Sequence, residues 1–272
     1  MSRLAPQPTL TEAEREGGLR LLVREAAFSG GTAALTTGVI LTAFALHLGA
    51  SNIMVGVLAS APFLAQLLQL PAIGLVERWR RRKLIAVGSS LIGRAMLAVM
   101  AVLAFTSGTP ALLIFLAAQL ILCGFGAVGT CAWNAWMRDL APDERLRQVF
   151  ARRTVWLSLI SLLLGLVAAL ALDLTPAGSE ERATVFAGMF AIGCLTGLIS
   201  AWMVAAMPEP AMPAAAGPVQ WRSLLGEPLA DPFFTVFIVW QLRFPISFVM
   251  LDVVSQVANI AAVRLWRPSS AR

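Results

Sequence analysis

Residues 73–88 read IGLVERWRRRKLIAVG, in which one acidic and five basic side chains stand between two apolar runs. Apolar sequence occupies residues 53–75 on one side and residues 84–106 on the other. Each run is longer than the roughly 20 residues that an α-helix needs to cross a bilayer. The segment therefore predicts a charged turn between two membrane-spanning helices.

The composition of the whole chain is also typical of a membrane protein. Of its 272 residues, 58% are hydrophobic and 13% are charged, whereas soluble domains have about 45–50% apolar and about 25% charged residues. Four more apolar runs reach spanning length. The predicted spans are 26–48, 53–75, 84–106, 110–135, 154–173 and 184–207. The sequence thus predicts an all-α, polytopic membrane protein.

Basic residues alternate between successive connections, which predicts the orientation. There are four in residues 1–25, none in 49–52, five in 76–83, none in 107–110, five in 138–153 and one in 174–183. Cytoplasmic loops accumulate Lys and Arg. We therefore expect the amino terminus to be cytoplasmic and the membrane to be a bacterial-type inner (plasma) membrane.

The chain divides into four predicted segments. Residues 1–25 form a cytoplasmic amino-terminal segment, and residues 26–207 form a six-helix transmembrane bundle. Residues 208–231 are rich in Pro, Ala and Gly and read as a cytoplasmic linker. Residues 232–272 have room for one long broken span or two short ones, followed by a polar tail.

Several functional classes are excluded by the residue pattern. The net charge of +6 comes from short basic clusters between apolar runs, so it indicates orientation rather than a nucleic-acid partner. Cys123, Cys131 and Cys194 lie in apolar runs without metal-ligand spacing. His47 has no nucleophile or carboxylate at a catalytic spacing. We expect no enzymatic activity, no metal and no cofactor.

The charged turn resembles the signature loop of the major facilitator superfamily, whose pattern is roughly G-x-L-A-D-R-x-G-R-R. The matching positions are Leu75, Glu77, Arg78, Arg81 and Arg82, while Ile73 and Arg80 stand where the pattern has glycine. The segments LHLGASNIMVGVLASAPFLAQLLQLPA, residues 46–72, and WNAWMRDLAPDERLRQVFARR, residues 133–153, are also similar to this family. The resemblance covers about residues 15–210.

This resemblance implies a carrier of twelve helices in two six-helix bundles, with the substrate between them. The chain would hold the amino-terminal bundle and the start of the second, because residues 251–266 resemble the eighth helix and stop before a second signature loop. We interpret this as a truncation by an internal deletion followed by a frameshift or a premature stop. One bundle supplies half of a cavity, so transport would require a homodimer.

The resemblance also implies that helices one, two, four and five line the central cavity. Uncharged polar residues in these spans are therefore candidates for contacts with an unknown small-molecule substrate. They are Thr36, Thr37, Gln66, Gln69, Gln119 and Asn134. The alternative is that each makes a hydrogen bond between helices.

Charged residues have two interpretations as well. Glu77, Arg78, Arg81 and Arg82 form either a solvated turn or, together with Arg138 at the next helix end, a gate in which Glu77 pairs with Arg138. Arg94 lies about 16 Å along a helix from Lys83, near mid-membrane. It has either a structural hydrogen-bonding role or a role in substrate binding. The predicted spans place no deep carboxylate beside it, so no coupling ion is assigned.

Two functions remain open at this point. The first is solute transport by an alternating-access carrier of the superfamily. The second is a non-transporting scaffold or partner subunit that uses the same helices for packing in the lipid bilayer.

Overall fold

The computed structural model describes residues 5–212, and these residues form eight α-helices. The helices are α1 (Glu12–Thr36), α2 (Gly38–His47), α3 (Asn52–Gln66), α4 (Gln69–Trp79), α5 (Arg82–Leu103), α6 (Thr109–Leu140), α7 (Asp143–Asp173) and α8 (Glu180–Ala206). Taken as α1–α2, α3–α4, α5, α6, α7 and α8, they make six stretches that are long and apolar enough to cross a membrane. The all-α polytopic fold is confirmed. The predicted segment 232–272 and most of the linker 208–231 lie outside the described residues.

Polar caps set the start of several helices. The Thr11 hydroxyl accepts from the Glu14 amide, and the Glu14 carboxylate accepts from the Thr11 amide at 2.9 Å, which completes a capping box. Ser51 and Ser179 cap α3 and α8 in a similar way. Because α1 begins at Glu12, the segment 1–25 contributes about four turns to the first helix.

Spans one and two are each interrupted. Between α1 and α2, Thr37 is extended with φ −129° and ψ 177°, and Gly38 has a left-handed φ of +60°. Between α3 and α4, the amides of Leu67 and Leu68 donate to the carbonyls three residues earlier. The second interruption is therefore a tightened turn that keeps its hydrogen bonds, whereas the first is a true break.

Aromatic packing and small residues hold the helices together. Phe44 of α2 packs against Phe115 of α6 and Phe190 of α8, with ring centroids 5.2 Å and 4.8 Å apart. A Cβ at Gly30 of α1 would lie 2.7 Å from the Leu157 carbonyl oxygen of α7. Such close approach of two backbones is what small residues permit between membrane helices.

Spans two and five are the least covered. Only 11% of the most apolar window of α3–α4, and the same share of α7, is buried, against 33–50% in the other spans. Leucines on α7 such as Leu162, Leu163 and Leu166 are more than half exposed. Within residues 5–212, the other helices therefore leave most of the apolar surface of these two spans uncovered.

Candidate functional site

Arg82 is the centre of a buried charged cluster at one end of the bundle. Its side chain is 1% exposed and forms ion pairs with Asp139 of α6 and with Glu209, where Nε lies 3.7 Å from Oε1. The Arg82 amide donates to Glu209 Oε1 at 2.7 Å, and the guanidinium donates to the carbonyls of Ala135 and Pro210. Buried charges persist when partners of this kind surround them.

The same cluster fixes the chain that follows α8. Lys83 Nζ donates to the Met207 carbonyl at 2.8 Å, and Arg80 donates to the Met212 carbonyl at 2.9 Å. Trp136 of α6 donates to the Pro208 carbonyl at 3.1 Å. Residues 207–212 are therefore bonded to the charged turn and to α6, not left as a free linker.

Glu209 is a member of this cluster that the sequence reasoning missed. Its carboxylate is fully buried. Burial raises the pKa of Glu209 above its ordinary value, although hydrogen bonds from the Lys83 and Arg82 amides and the charges of both side chains oppose the rise. A proline on each side, at positions 208 and 210, marks a segment that leaves the helix, but nothing in the sequence signals burial of this acid.

Within the described residues, the other predicted gating residues form none of the ion pairs of this cluster. Arg78, Arg81 and Arg138 are exposed, and Glu77 is half-buried. Within residues 5–212, no ion pair joins Glu77 to Arg138. The pairing between the charged turn and α6 instead uses Arg82 and Asp139, the residue after Arg138.

A second charged cluster lies inside the bundle around Glu25 of α1. Arg153 of α7 donates to Glu25 Oε2 at 3.1 Å, and Ser200 of α8 donates to Oε1 at 2.6 Å. The Arg153 guanidinium also stacks over the Trp133 ring, 5.2 Å from its centroid. The ion pair joins α1 to α7, and the contacts with Ser200 and Trp133 add α8 and α6 to the cluster.

Arg94, predicted near mid-membrane, belongs to the same region. Its charge interacts with that of Glu25. Its stem packs against Gly197 of α8, and its buried Nε has no hydrogen-bond partner in the described part of the chain. The sequence placed the first span after residue 25 and so found no carboxylate for Arg94. The Thr11–Glu14 capping pattern is the sequence signal that would have placed Glu25 inside a helix.

The predicted cavity residues fall into two groups. Thr36 and Gln119 are buried: the Thr36 hydroxyl donates to the Thr32 carbonyl at 2.7 Å, and Gln119 Nε2 donates to Cys123 Sγ at 3.2 Å. Thr37, Gln66 and Asn134 are exposed, and Gln69 is half-buried. Among these six, Gln69 bonds to Gln66, and no other hydrogen bond within residues 5–212 joins two of them.

Three of the exposed or half-exposed candidates flank the interruptions of spans one and two. Thr37 is the break between α1 and α2, and Gln66 and Gln69 stand on either side of the tightened turn between α3 and α4. The Thr37 hydroxyl donates back to the Ala33 carbonyl at 2.7 Å and does not cap α2. Gly38 and Val39, the first residues of α2, are exposed. Among the described residues, the first amides of α2 therefore have no helical partner and no side-chain cap.

Comparison with known proteins gives one match. A family model described as Major Facilitator Superfamily matches residues 26–266. No curated protein and no solved structure matches the chain. The matched range contains five whole spans and most of the first, and it continues past the residues that the structure describes.

Proposed function

The chain belongs to the major facilitator superfamily, and from this premise we propose that it acts as an alternating-access carrier for a small solute. The superfamily consists of membrane transporters, and the six apolar spans fit a multi-pass protein. The alternation of basic residues supports a cytoplasmic amino terminus in a bacterial-type inner membrane.

The exposed break at Thr37 is the observation that carries this proposal. The ten residues of α2 lie between the break at Thr37 and the end of span one. At 1.5 Å per residue they are about 15 Å long, which is half the thickness of a hydrocarbon core of about 30 Å. Non-helical backbone at this depth is tolerated only where it is buried in protein or lines a water-filled cavity. Because residues 37–39 are exposed, their face points to a cavity rather than to lipid.

Interrupted spans also mark substrate sites in secondary transporters, because the freed backbone groups and nearby polar side chains bind the solute. Thr37, Gln66 and Gln69 supply hydroxyl and amide groups at the two interruptions. We assign these three, with exposed Asn134, to substrate contact. Thr36 and Gln119 are assigned to the packed interior because both side chains are buried, and each forms a hydrogen bond within its own helix.

Cysteine accessibility tests the cavity. Thr37→Cys and Gln66→Cys are introduced into the full chain with Cys123, Cys131 and Cys194 replaced by alanine, reconstituted in lipid nanodiscs. The cysteine thiolate is the nucleophile that attacks the thiol reagent, and it forms in water and not in hydrocarbon. We expect a water-soluble reagent to modify both positions at least about tenfold faster than Leu195→Cys, because ionised groups are excluded from a lipid-facing site.

Leu195 is the matched control because it lies midway along α8 and is 61% exposed with an apolar side chain. If the thiols of the Thr37→Cys and Gln66→Cys chains react as slowly as that of the control, the face is covered by lipid or by another protein. That result contradicts the carrier and favours the scaffold or partner-subunit alternative.

A further inference from the structure

A basic groove runs along the contact of α1 and α7, at the end of the bundle where both helices begin. Its volume is about 420 Å³, within the range of roughly 300–1,000 Å³ that is typical of small-molecule sites. Residues that line it are Glu16, Leu19, Arg20, Val23 and Arg24 of α1 with Arg145, Gln148, Val149 and Arg152 of α7. We call it the α1–α7 groove.

The charges of this groove are unbalanced. Four arginines line it against one carboxylate, that of Glu16, which already forms an ion pair with Arg145. Within residues 5–212, no ion pair or hydrogen bond involves the side chains of Arg20, Arg24 and Arg152. Like charges that face one shared concave space repel each other and concentrate anions there.

The helix geometry explains why the groove opens at this end. Further along the same contact, Gly30 lets α1 approach the Leu157 backbone of α7, and Ser161 donates to the Gly30 carbonyl at 3.0 Å. The Glu25–Arg153 pair comes next. Beyond it, arginine side chains of both helices line the groove in place of small residues, together with the apolar side chains of Leu19 and Val149.

We propose that the α1–α7 groove binds an oxyanion, a phosphate or carboxylate group held by the guanidinium groups of Arg20, Arg24 and Arg152. Arginine presents planar pairs of N–H donors that match two oxygens of such a group. The Gln148 side chain adds an uncharged donor at the same surface. The inference rests on the groove alone and does not depend on the proposed transport function.

A neighbouring groove is a weaker candidate. It has a volume of about 590 Å³ and shares Arg20 and Arg24, but Glu14 and Lys83 line it in place of Arg145 and Arg152. The ammonium of Lys83 donates to the Met207 carbonyl. The unbalanced positive charge is therefore concentrated on the α7 side of α1.

Two sources supply this ligand chemistry: a soluble oxyanion and the phosphate of an anionic lipid headgroup. Gln148→Cys, in the full chain without native cysteines, places a reporter thiol in the groove. Its rate of modification by an anionic sulfonate thiol reagent is measured in detergent with and without inorganic pyrophosphate, at constant ionic strength. A second comparison uses nanodiscs of phosphatidylglycerol and of phosphatidylcholine.

We expect one of the two anions to slow the modification of the reporter thiol by about tenfold, the scale of local electrostatic concentration. If pyrophosphate protects the reporter thiol, the ligand of the groove is a soluble oxyanion. If phosphatidylglycerol protects it, the ligand is a lipid headgroup. The Arg24→Gln/Arg152→Gln variant should lose the protection. Arg147→Gln should keep it, because Arg147 is exposed on α7 but does not line the groove.

Two results would overturn the proposal: equal rates with and without both anions, or protection that persists in the double variant. Arg24 and Arg152 are exposed, so their replacement leaves the bundle core intact. Elution of each variant as a single peak on size exclusion verifies its fold before the rates are compared.

Discussion

At the scale of single residues, neighbouring arginines in the charged turn have opposite environments. Arg81 is exposed, while Arg82 is fully buried and bonded to Asp139, Glu209 and two carbonyls. Arg80 differs again, because it ends α4 in a left-handed conformation with φ +52°. The family pattern has glycine at this position, and the structure keeps the turn with arginine in its place.

Arg80 tests whether this turn carries backbone strain. A left-handed conformation costs a residue other than glycine about 1–2 kcal/mol. Both Arg80→Gly and Arg80→Ala lose the bond to the Met212 carbonyl. We expect the free energy of unfolding of the Arg80→Gly chain to be about 1 kcal/mol higher than that of the Arg80→Ala chain. Denaturation of the detergent-solubilised chain, followed by circular dichroism, measures the difference.

Arg147, exposed within α7, is the matched control for this comparison. In a helix interior, alanine is about 1 kcal/mol more favourable than glycine, so the order of the two variants reverses there. An Arg80→Ala chain as stable as the Arg80→Gly chain would show that the turn is not strained.

At the scale of helices, α1 and α7 are joined by two ion pairs that differ in burial. Glu25 and Arg153 have side chains 5% and 18% exposed, and Glu16 and Arg145 have side chains 32% and 58% exposed. Removing one partner of a buried pair costs about 3–5 kcal/mol because the other charge stays buried and unpaired. An exposed pair contributes about 0.2–1 kcal/mol.

These values predict a different coupling for each pair. We expect Glu25→Gln to destabilise the chain by about 3–5 kcal/mol. The Glu25→Gln/Arg153→Gln double variant should cost less than the sum of the single changes, because the charges of Glu25 and Arg153 are removed together and only Arg94 loses an opposite charge. Unfolding free energies of the four chains of a double-mutant cycle measure this coupling.

The Glu16 and Arg145 cycle is the control between the same two helices. Its single changes should cost at most about 1 kcal/mol, with little coupling. If the Glu25 and Arg153 changes lower the free energy of unfolding as little as the Glu16 and Arg145 changes do, the bundle does not depend on its internal ion pair.

At the scale of the whole molecule, the sequence predicted the spans better than the charged clusters. The six apolar runs and the charged turn at residues 73–88 can be identified from the sequence alone, because hydropathy and charge change over lengths of about one span. Glu25 and Glu209 were missed, and both lie just outside the predicted bundle of residues 26–207. Burial of an acid depends on which helices meet it, and a hydropathy window cannot register that.

The candidate site was predicted in part for the same reason. The distance of Arg94 along its span predicted a position near mid-membrane, but the sequence did not show that Glu25 of another helix lies near it. The interruption at Thr37 has no proline, and Gly38 alone does not distinguish a break from tight packing. Polar residues in spans therefore identified candidates, while their division into exposed and buried groups required the packed bundle.

Glu209 makes the stability of the whole bundle depend on pH, since its cluster joins α5, α6 and residues 207–212. Because burial raises the pKa of Glu209 above 4.5, the folded chain holds this proton more tightly than the unfolded chain. The resulting stability is present below about pH 4.5 and is lost as the pH rises through the folded pKa. A tenfold difference in proton affinity between the folded and unfolded states corresponds to about 1.4 kcal/mol.

We therefore expect the melting temperature of the wild type, relative to that of Glu209→Gln, to fall as the pH rises from about 4 to about 8. Arg81→Gln removes an exposed charge beside the same cluster, and its difference from the wild type should stay constant because arginine does not titrate in this range. If the melting temperature of the wild type instead rises relative to that of Glu209→Gln as the pH increases, the charges of Arg82 and Lys83 outweigh burial and the pKa of Glu209 is lowered.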